Sequence, residues 1–527
     1  MGVKKYKLKK SAKALIFILI TLIVLPSVYF AADKFLKNDE SSSVVTPATP
    51  TTIPSNEPTS SEEPTSSSNV GNEINLSVSE KISWKPILDA NGGLTTQPGS
   101  IYDKLGIKVN IKLDNNPDNS SQEFIDNKSN ALGYTVNGYS ALYRKFQDAN
   151  VETIMPYIVD SSTGTDGIIV RGNINSVNDF VGKKIGVPYV SSDQAMVIWL
   201  MLKSDLPEEQ FTQILKENTT VYKSVKETAQ AFFNGEVDIA GVRQPYLTQA
   251  KNTEGTKVLF TTKSAKNLIA NGIVFRKDFV DSNPEVVTSF IDGAFQALEE
   301  NKGFENVRLQ PSFEKSTDEE LNAMLTEMKF NNFTDNSNML GGISQQLFED
   351  MNKVWELAGQ EVVYGASTKA LTKEYIDKLN GKYTLENATS VKVDDATKQK
   401  AQQQDNDEAL LKKSTSINFK PNSAKFLDEE EAQKALNEFV NIASILDGAV
   451  IQIEGNIADT GVGDTEAGRK LSLARAKTIA EHLAAKGVDE SRFIVIGNGI
   501  ANQIADNKTT EGQLQNRRTD IFFKVIE

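Results

Sequence analysis

The stretch LSLARAKTIAEHLAAKGVDESRFIVIGNG, Leu471 to Gly499, reads as a helix that stops at a glycine and passes into a strand. Ala476, Ile479, Ala480 and Leu483 fall at the three-and-four spacing of one helical face. Gly487 suits the left-handed residue that closes a helix. Phe493-Ile-Val-Ile496 then has the apolar run of a buried strand. Upstream, Asp428 to Leu446 predicts a second amphipathic helix, with Leu436, Phe439, Val440 and Ala443 on its apolar face, and Ala449 to Glu454 a strand. Downstream, Asp520 to Val525 predicts a last strand. The sum is a small α+β sandwich with helices on one face of its sheet.

Three motifs make this region, 414–527, resemble the OmpA-like (OmpA/MotB C-terminal) family. They are INFKPNSAKF (Ile417 to Phe426), the stretch quoted above, and IADNKTTEGQLQNRRTDIFF (Ile504 to Phe523). The resemblance implies peptidoglycan as a partner. In that family an Asp of a Gly-His-Thr-Asp loop pairs with the amino group of diaminopimelate, and the Arg of the LSxxRA motif pairs with its carboxylate. A zwitterionic end needs one rigidly held charge of each sign. Arg475 falls on the Arg position, and Asn516, Arg517 and Arg518 fall on the NRR motif. The acidic position departs: Gly455-Asn-Ile-Ala458 replaces the usual loop, which leaves Asp459 or Asp464 as substitutes. Gln513 also stands where the family has Arg. The alternative is a fold kept as a spacer or protein-interaction module without the ligand.

Residues 75–385 alternate β-rich runs with helical patterns. Ile107 to Leu113, Gly167 to Val170, Lys184 to Val187 and Val237 to Ala240 read as strands; Asp193 to Leu202 and Val225 to Phe233 read as helices. Such alternation predicts an α/β fold with mainly parallel sheets. TGTDGIIVRGNINSVNDFVGKKIGVPYVSSDQAMVIWLML (Thr163 to Leu202), AQAFFNGEVDIAGVRQPY (Ala229 to Tyr246) and NPEVVTSFIDGAFQALEENK (Asn283 to Lys302) resemble ABC-type solute-binding proteins of the nitrate, sulfonate, taurine and thiamine-precursor kind. The resemblance implies two lobes, as in periplasmic binding proteins, closing over a small solute.

Ser191 and Ser192 follow a predicted strand and open a predicted helix, whose free N–H groups suit an anionic group. They suit an ordinary N-cap as well, and Asp193 could occupy the same helix end. Arg243 follows a strand in GVRQPY and could fork onto a carboxylate or sulfonate; a salt bridge is its alternative use. Thr135, Asn137 and Ser162 are weaker candidates, chosen because they follow predicted strands and can donate hydrogen bonds.

A polar stretch, 386–413, has helix-forming residues but no sustained apolar stripe, and is expected to be a partly helical linker. At the other end, residues 1–13 are basic and 14–32 are apolar enough for one membrane span. Cleavage as a signal peptide would place Tyr29 or Phe30 at the −3 position, where a small residue is wanted, so a retained signal-anchor is expected. Residues 33–74, rich in Ser, Thr and Pro, cannot bury enough apolar surface to fold and read as a spacer.

The whole chain has 527 residues and a net charge of −13. That charge argues against nucleic acid, which needs clustered Lys and Arg. With no cysteine, disulfides, a catalytic thiol and Cys-ligated zinc are excluded. The single histidine, His482, has nothing beside it to complete a metal site. No P-loop or nucleophile elbow is present. The expectation is a non-enzymatic, cofactor-free protein of the cell membrane, single-pass, with its bulk outside the cytoplasm. It would bind a small anionic solute, hold peptidoglycan, and work with an ABC permease. The alternative is a structural envelope tether whose middle domain only binds protein.

Overall fold

A computed structural model describes residues 71–386, 392–415, 417–420, 422–461 and 463–526. The expected membrane segment and nearly all of the spacer lie outside these residues. Among the described residues no helix is long and apolar enough to cross a membrane.

Two sheets build the larger part. The chain lays down β1 (Glu73–Val78), β2 (Lys108–Leu113), β3 (Ala131–Thr135) and β4 (Thr153–Ser162) in the first sheet. It then crosses to the second and forms β5 (Asp166–Arg171), β6 (Ile185–Pro188), β7 (Thr219–Tyr222), β8 (Ile239–Arg243) and β9 (Thr256–Thr261). It returns to the first sheet as β10 (Ala270–Arg276) and β11 (Met328–Phe330). The strand orders are β11-β4-β10-β3-β1-β2 and β7-β6-β8-β5-β9. The expectation of mainly parallel sheets is corrected here. β1 pairs in parallel with β2 and β3, and β6 with β7 and β8, but β10 runs antiparallel to β3 and β4, and β5 to β8 and β9. The reason is the path of the chain. Strands that cross between lobes enter the new sheet without a covering helix before them, so they are free to run antiparallel.

Three helices position the residues between the lobes. Helix α1 (Val136–Asp148) follows β3, α2 (Ser192–Lys203) follows β6, and α3 (Ser344–Leu357) comes from the returning chain. Most of α2 is buried, including the polar Asp193, Gln194 and Lys203. It can lie this close to the second sheet because β8 carries Gly241, where a Cβ would sit 2.8 Å from the Asp193 carbonyl oxygen. On its other side, Trp199 Nε1 and Lys203 Nζ each donate to the Asp350 carboxylate of α3 at 3.0 Å. One buried carboxylate thus ties the second lobe to the first.

The C-terminal domain consists of α4 (Asp395–Gln403), β12 (Leu411–Thr415), α5 (Glu429–Ile445), β13 (Val450–Asn456), α6 (Glu466–Ala485), β14 (Phe493–Gly499), α7 (Thr510–Asn516) and β15 (Thr519–Lys524). Its sheet order is β12-β15-β13-β14. The stretch expected as a linker therefore ends in structure that belongs to the sheet: β12 pairs antiparallel with β15 from Leu411 to Thr415. Helices also cover both faces of the sheet. Ile451, Ile453, Ile521 and Phe523 pack with Leu436 and Ile479 on the α5–α6 side, while Val450 and Ile494 pack on Ala401 of α4. Lys524 Nζ closes the carboxyl end of α4, donating to Ala401 O at 3.0 Å and Gln404 O at 2.8 Å. A single buried alanine in a polar helix gives no periodic signal, which is why the sequence hid this face.

The C-terminal domain is also docked on the two-lobed part. Gly448 N donates to Ser264 O at 3.1 Å. Lys266 N donates to Asp447 Oδ1 at 3.0 Å, and Asn267 Nδ2 to Ser444 O at 2.9 Å. Those three partners lie on the β9–β10 crossover between the lobes. A second contact joins Ser414 N to Asp205 Oδ2 at 2.8 Å, just beyond the carboxyl end of α2.

Candidate functional site

Between the lobes, β3 and β6 deliver two helix starts to one place. Thr135 caps α1, accepting from Gly138 N at 2.9 Å. Ser191 caps α2, accepting from Gln194 N at 3.1 Å while its hydroxyl donates to Pro188 O. The Thr135 and Ser192 hydroxyls meet across the lobes at 3.2 Å. Of the predicted residues, Ser191 is thus occupied as an N-cap, while Thr135 and Ser192 form a contact from lobe to lobe. Asn137 is corrected as a candidate: it is wholly buried and donates to the Met351 sulfur at 3.1 Å, between α1 and α3. It is the second residue of α1 and lies on the face that packs against α3.

Arg243 ends β8 and is already engaged. It donates to the Asp193 carboxylate at the start of α2, and its Nε lies 3.8 Å from Asp166 Oδ1. Ser162 donates to Asp166 Oδ2 at 2.7 Å and meets Thr262 Oγ1 at 2.7 Å. From the first lobe, Lys81 Nζ donates to Asn271 Oδ1 at 2.9 Å, and Asn271 Nδ2 donates to Asp160 Oδ1 at 2.6 Å. Burial and the neighbouring Asp193 charge push the Asp166 carboxyl up to about 6. Burial also raises Asp160, against the hydrogen bonds of Ser83 and Asn271. Lys81 is lowered by burial and then by Arg243, and Arg243 is raised by the Asp193 charge. Paired desolvated charges that perturb one another mark a functional candidate. Lys81, Asp160, Asp166 and Asn271 were not singled out from the sequence. Asp166 falls just before the strand read at Gly167 to Val170, where a period reading gives it no role; the structure begins that strand at Asp166.

In the C-terminal domain, Gly455 lets α6 rest on β13: a Cβ there would sit 2.1 Å from the Ser472 carbonyl oxygen. This close approach sets the height of Arg475, three residues further along α6. Arg475 is 9% exposed. Its Nε donates to Ser423 O at 3.1 Å, and its guanidinium lies over the Phe419 ring, 5.0 Å from the centroid. The motif that begins at Ile417 thus folds back to hold the arginine. Arg517 is exposed and donates to Gln513 Oε1 at 3.0 Å. Burial, then Arg517, lowers the Arg475 guanidinium. Among the described residues neither Arg475 nor Arg517 has an ion pair, whereas Arg518 is paired with Asp520 at 2.9 Å.

The acidic candidates are engaged elsewhere. Asp459 Oδ1 accepts from Gly461 N and Gly463 N at 2.8 and 3.2 Å, and Asp464 pairs with Arg469 at 2.6 Å. Asn516 is a positioning residue: its side chain accepts from Ile504 N and Ala505 N and donates to Ala505 O and Asn507 Oδ1. Every hydrogen bond an amide commonly makes is spent on the 504–507 loop. Among the described residues no cluster of His, Cys, Asp and Glu could hold a metal ion.

Residues 418–517 match the model of the OmpA family, and residues 99–301 match that of the NMT1/THI5-like family. The chain carries a domain of each. A segment of 92 residues is 38% identical to outer membrane protein A of Bordetella avium, covering 17% of this chain and 46% of that protein. Over 111 residues it is 33% identical to the probable lipoprotein YiaD of Escherichia coli (strain K12), covering 20% and 50%. Over 51 residues it is 45% identical to the peptidoglycan-binding protein ArfA of Mycobacterium tuberculosis (strain ATCC 25618 / H37Rv), covering 10% and 16%. The chain thus spans half or less of the length of these curated relatives. Among solved structures, the periplasmic aliphatic sulphonate binding protein SsuA from Escherichia coli superposes with a TM-score of 0.41 at 13% identity, covering 55% of this chain and 94% of that one. The periplasmic nitrate-binding protein NrtA from Synechocystis PCC 6803 gives 0.42 at 12% identity, covering 60% and 90%.

Proposed function

We propose that this is a binding protein of the cell envelope, which holds peptidoglycan through its OmpA-like domain and captures a small solute between its two lobes. The observation that carries the first half is the state of Arg475. It is fixed in direction by Ser423 and Phe419, stands near Arg517, and has no carboxylate of its own among the described residues. A rigid guanidinium with spare donors suits a carboxylate. The ArfA likeness supports peptidoglycan as its source. Anchoring by residues 14–32 would put both domains outside the membrane, where an ABC permease would be the partner of the solute domain. The test is sedimentation of the full chain with purified peptidoglycan. Wild type should pellet and Arg475→Ala should stay largely in solution; equal pelleting of the two would end the assignment.

An anionic solute is the expectation from the sequence, and Arg243 is the residue that supports it. A second reading has support as well. Arg243 is already paired with Asp193, and Thr135 touches Ser192 across the lobes. These contacts suit a tether whose middle domain binds protein and no small solute. Thermal shift of the full chain with sulfonates, nitrate, phosphate, amino acids and pyrimidines separates the two, since a solute bound only by the folded state raises its stability.

A further inference from the structure

Where the C-terminal domain docks beside the first lobe, the two enclose a cavity of about 1030 Å³. Asn338 and Met339 line it from the first lobe, Lys266 from the β9–β10 crossover, and Val440 of α5 and Val488 of the α6–β14 turn from the C-terminal domain. Thr135, Asp166, Arg243 and Arg475 are not among its walls. It is a third concavity, apart from both sites described above.

Its charge is the reverse of the chain's. In a protein of net charge −13, Lys266, Lys329, Lys392, Lys486 and Arg492 face it from four stretches of chain, against Asp335, Asp447 and Asp489. Lys329 is matched by Asp335 at 2.6 Å. Asp447 accepts from Lys266 N at 3.0 Å, and burial raises its carboxyl. The ammonium groups of Lys266, Lys392 and Lys486 have no hydrogen bond or ion pair among the described residues. Arg492 is 4% exposed. Its Nε donates to Ala449 O and its Nη1 to Ala443 O, both at 2.9 Å, and its Nη2 to Leu446 O at 2.6 Å. It is a buried guanidinium held by carbonyls, with no ion pair among the described residues. Burial pushes it down to about 10, with Asp447 and Asp489 acting against that. Buried cations are usually paired, so this wall keeps positive charge that the chain does not neutralise.

The kind of cation sets the chemistry. The planar fork that matches a carboxylate belongs to arginine, and Arg492 has spent its fork on carbonyls. What remains free is lysine, a point charge with three rotatable donors, which suits the tetrahedral oxygens of a phosphate. The volume is at the upper end of that for organic ligands, which reaches about 1,000 Å³, and is far too large to fit a bare ion. Met339, Val440 and Val488 supply apolar surface for a carbon body, and the exposed Asn338 amide can serve its hydroxyls. We infer that this junction cavity binds an organic phosphate, whose phosphate is received by Lys266, Lys392 and Lys486 and whose body lies on Met339, Val440 and Val488. A ligand held there touches the first lobe and the C-terminal domain at once, and so strengthens their docking. Its source is either a soluble sugar phosphate or the headgroup of a phospholipid.

The experiment is calorimetric titration of the full chain with glucose 1-phosphate, glycerophosphoglycerol, glucose and inorganic phosphate. At least one of the two esters should bind, glucose should not, and inorganic phosphate should bind at least tenfold more weakly than that ester. Preference for glucose 1-phosphate supports a soluble sugar phosphate, and preference for glycerophosphoglycerol a lipid headgroup. Inorganic phosphate bound as tightly as the esters would mean an adventitious ion only and overturn the inference; so would the absence of binding by both esters. The double variant Lys392→Ala, Lys486→Ala places the site. Both side chains are exposed and lose no partner, so the melting profile should stay close to wild type while ester affinity falls at least tenfold. Unchanged affinity would put the phosphate elsewhere, between the lobes included, and overturn the assignment to this cavity.

Discussion

The two halves of this molecule each hold an arginine where a resemblance led one to look, and they hold it in opposite ways. Arg243 is met by two carboxylates of its own chain, Asp193 and Asp166. Arg475 is met by a backbone carbonyl and an aromatic face, with another arginine nearby. A guanidinium already neutralised gains little from an incoming anion, because a new partner must displace an existing one. A guanidinium held by neutral groups keeps its charge for the ligand. Arginine at a motif position is therefore only half of an anion site; what decides is whether the fold has supplied the anion itself.

The largest expected effect tests that contrast through stability. Arg243→Ala leaves the fully buried Asp193 without its counter-charge, and Asp166 with only Ser162. Breaking a buried pair from one side typically costs 3–5 kcal/mol. Arg243 is 36% exposed at its side chain, so solvent screening brings the expectation to about 2–4 kcal/mol. Arg475→Ala removes one hydrogen bond and one ring contact and strands no carboxylate, for about 1–2 kcal/mol. Denaturant unfolding of the two variants should rank them in that order, while peptidoglycan pelleting should rank them in reverse. If Arg475→Ala proves the more damaging to stability, the arginine is structural and the contrast fails.

A smaller effect lies in pH. The Asp166 carboxyl is raised to about 6 in the folded protein, from an ordinary value of 3.8. Between those values the folded state holds the proton and the unfolded state has released it. Stability from this group is thus present below about pH 4 and is lost as pH rises through about 6, with nothing further above 7. At about 1.4 kcal/mol per unit, the loss is up to about 3 kcal/mol. Asp166→Asn should match wild type near pH 4 and be the more stable of the two at pH 7.5, read by thermal melts across that range. Parallel curves would mean that Arg243 compensates Asp166 fully.

These outcomes bear on what could be read from residues alone. The OmpA-like fold was legible because its helices carry strong periodic faces and its motifs fall in order. The α/β character of the middle region was legible from alternation and its two lobes from the family resemblance, but the mixed strand directions were not, since a strand's pattern is nearly blind to its neighbour's direction. Arg475 was found by motif and has no ion pair among the described residues. Arg243 was found too, but its partners come from the start of α2 and from β5, far apart in sequence. Whether a charge is paired is a property of the packed molecule. Asp160 and Lys81 escaped for the same reason, since their partners come together only in the packed molecule. The partly helical character of 386–413 was legible, but the packing of its helix on the sheet was not, because that packing rests on a single alanine.

The docking of the C-terminal domain supplies the smallest effect and bears on whether the two arginines work apart. Asp447 accepts from Lys266 N on the β9–β10 crossover, the same segment through which the lobes are joined. Asp447→Ala leaves that N–H unpaired, at about 1 kcal/mol, and relieves a carboxyl that burial holds above its usual range. Neither domain's own core is touched, so the global melt should move little. The docking alone should loosen, seen as faster proteolysis between residues 386 and 410 and a broader distance distribution between spin labels on the two domains. Two independent sites predict unchanged peptidoglycan pelleting and unchanged solute affinity in this variant. A change in solute affinity would instead mean that the crossover carries strain between the domains, and that the C-terminal module biases how the lobes close.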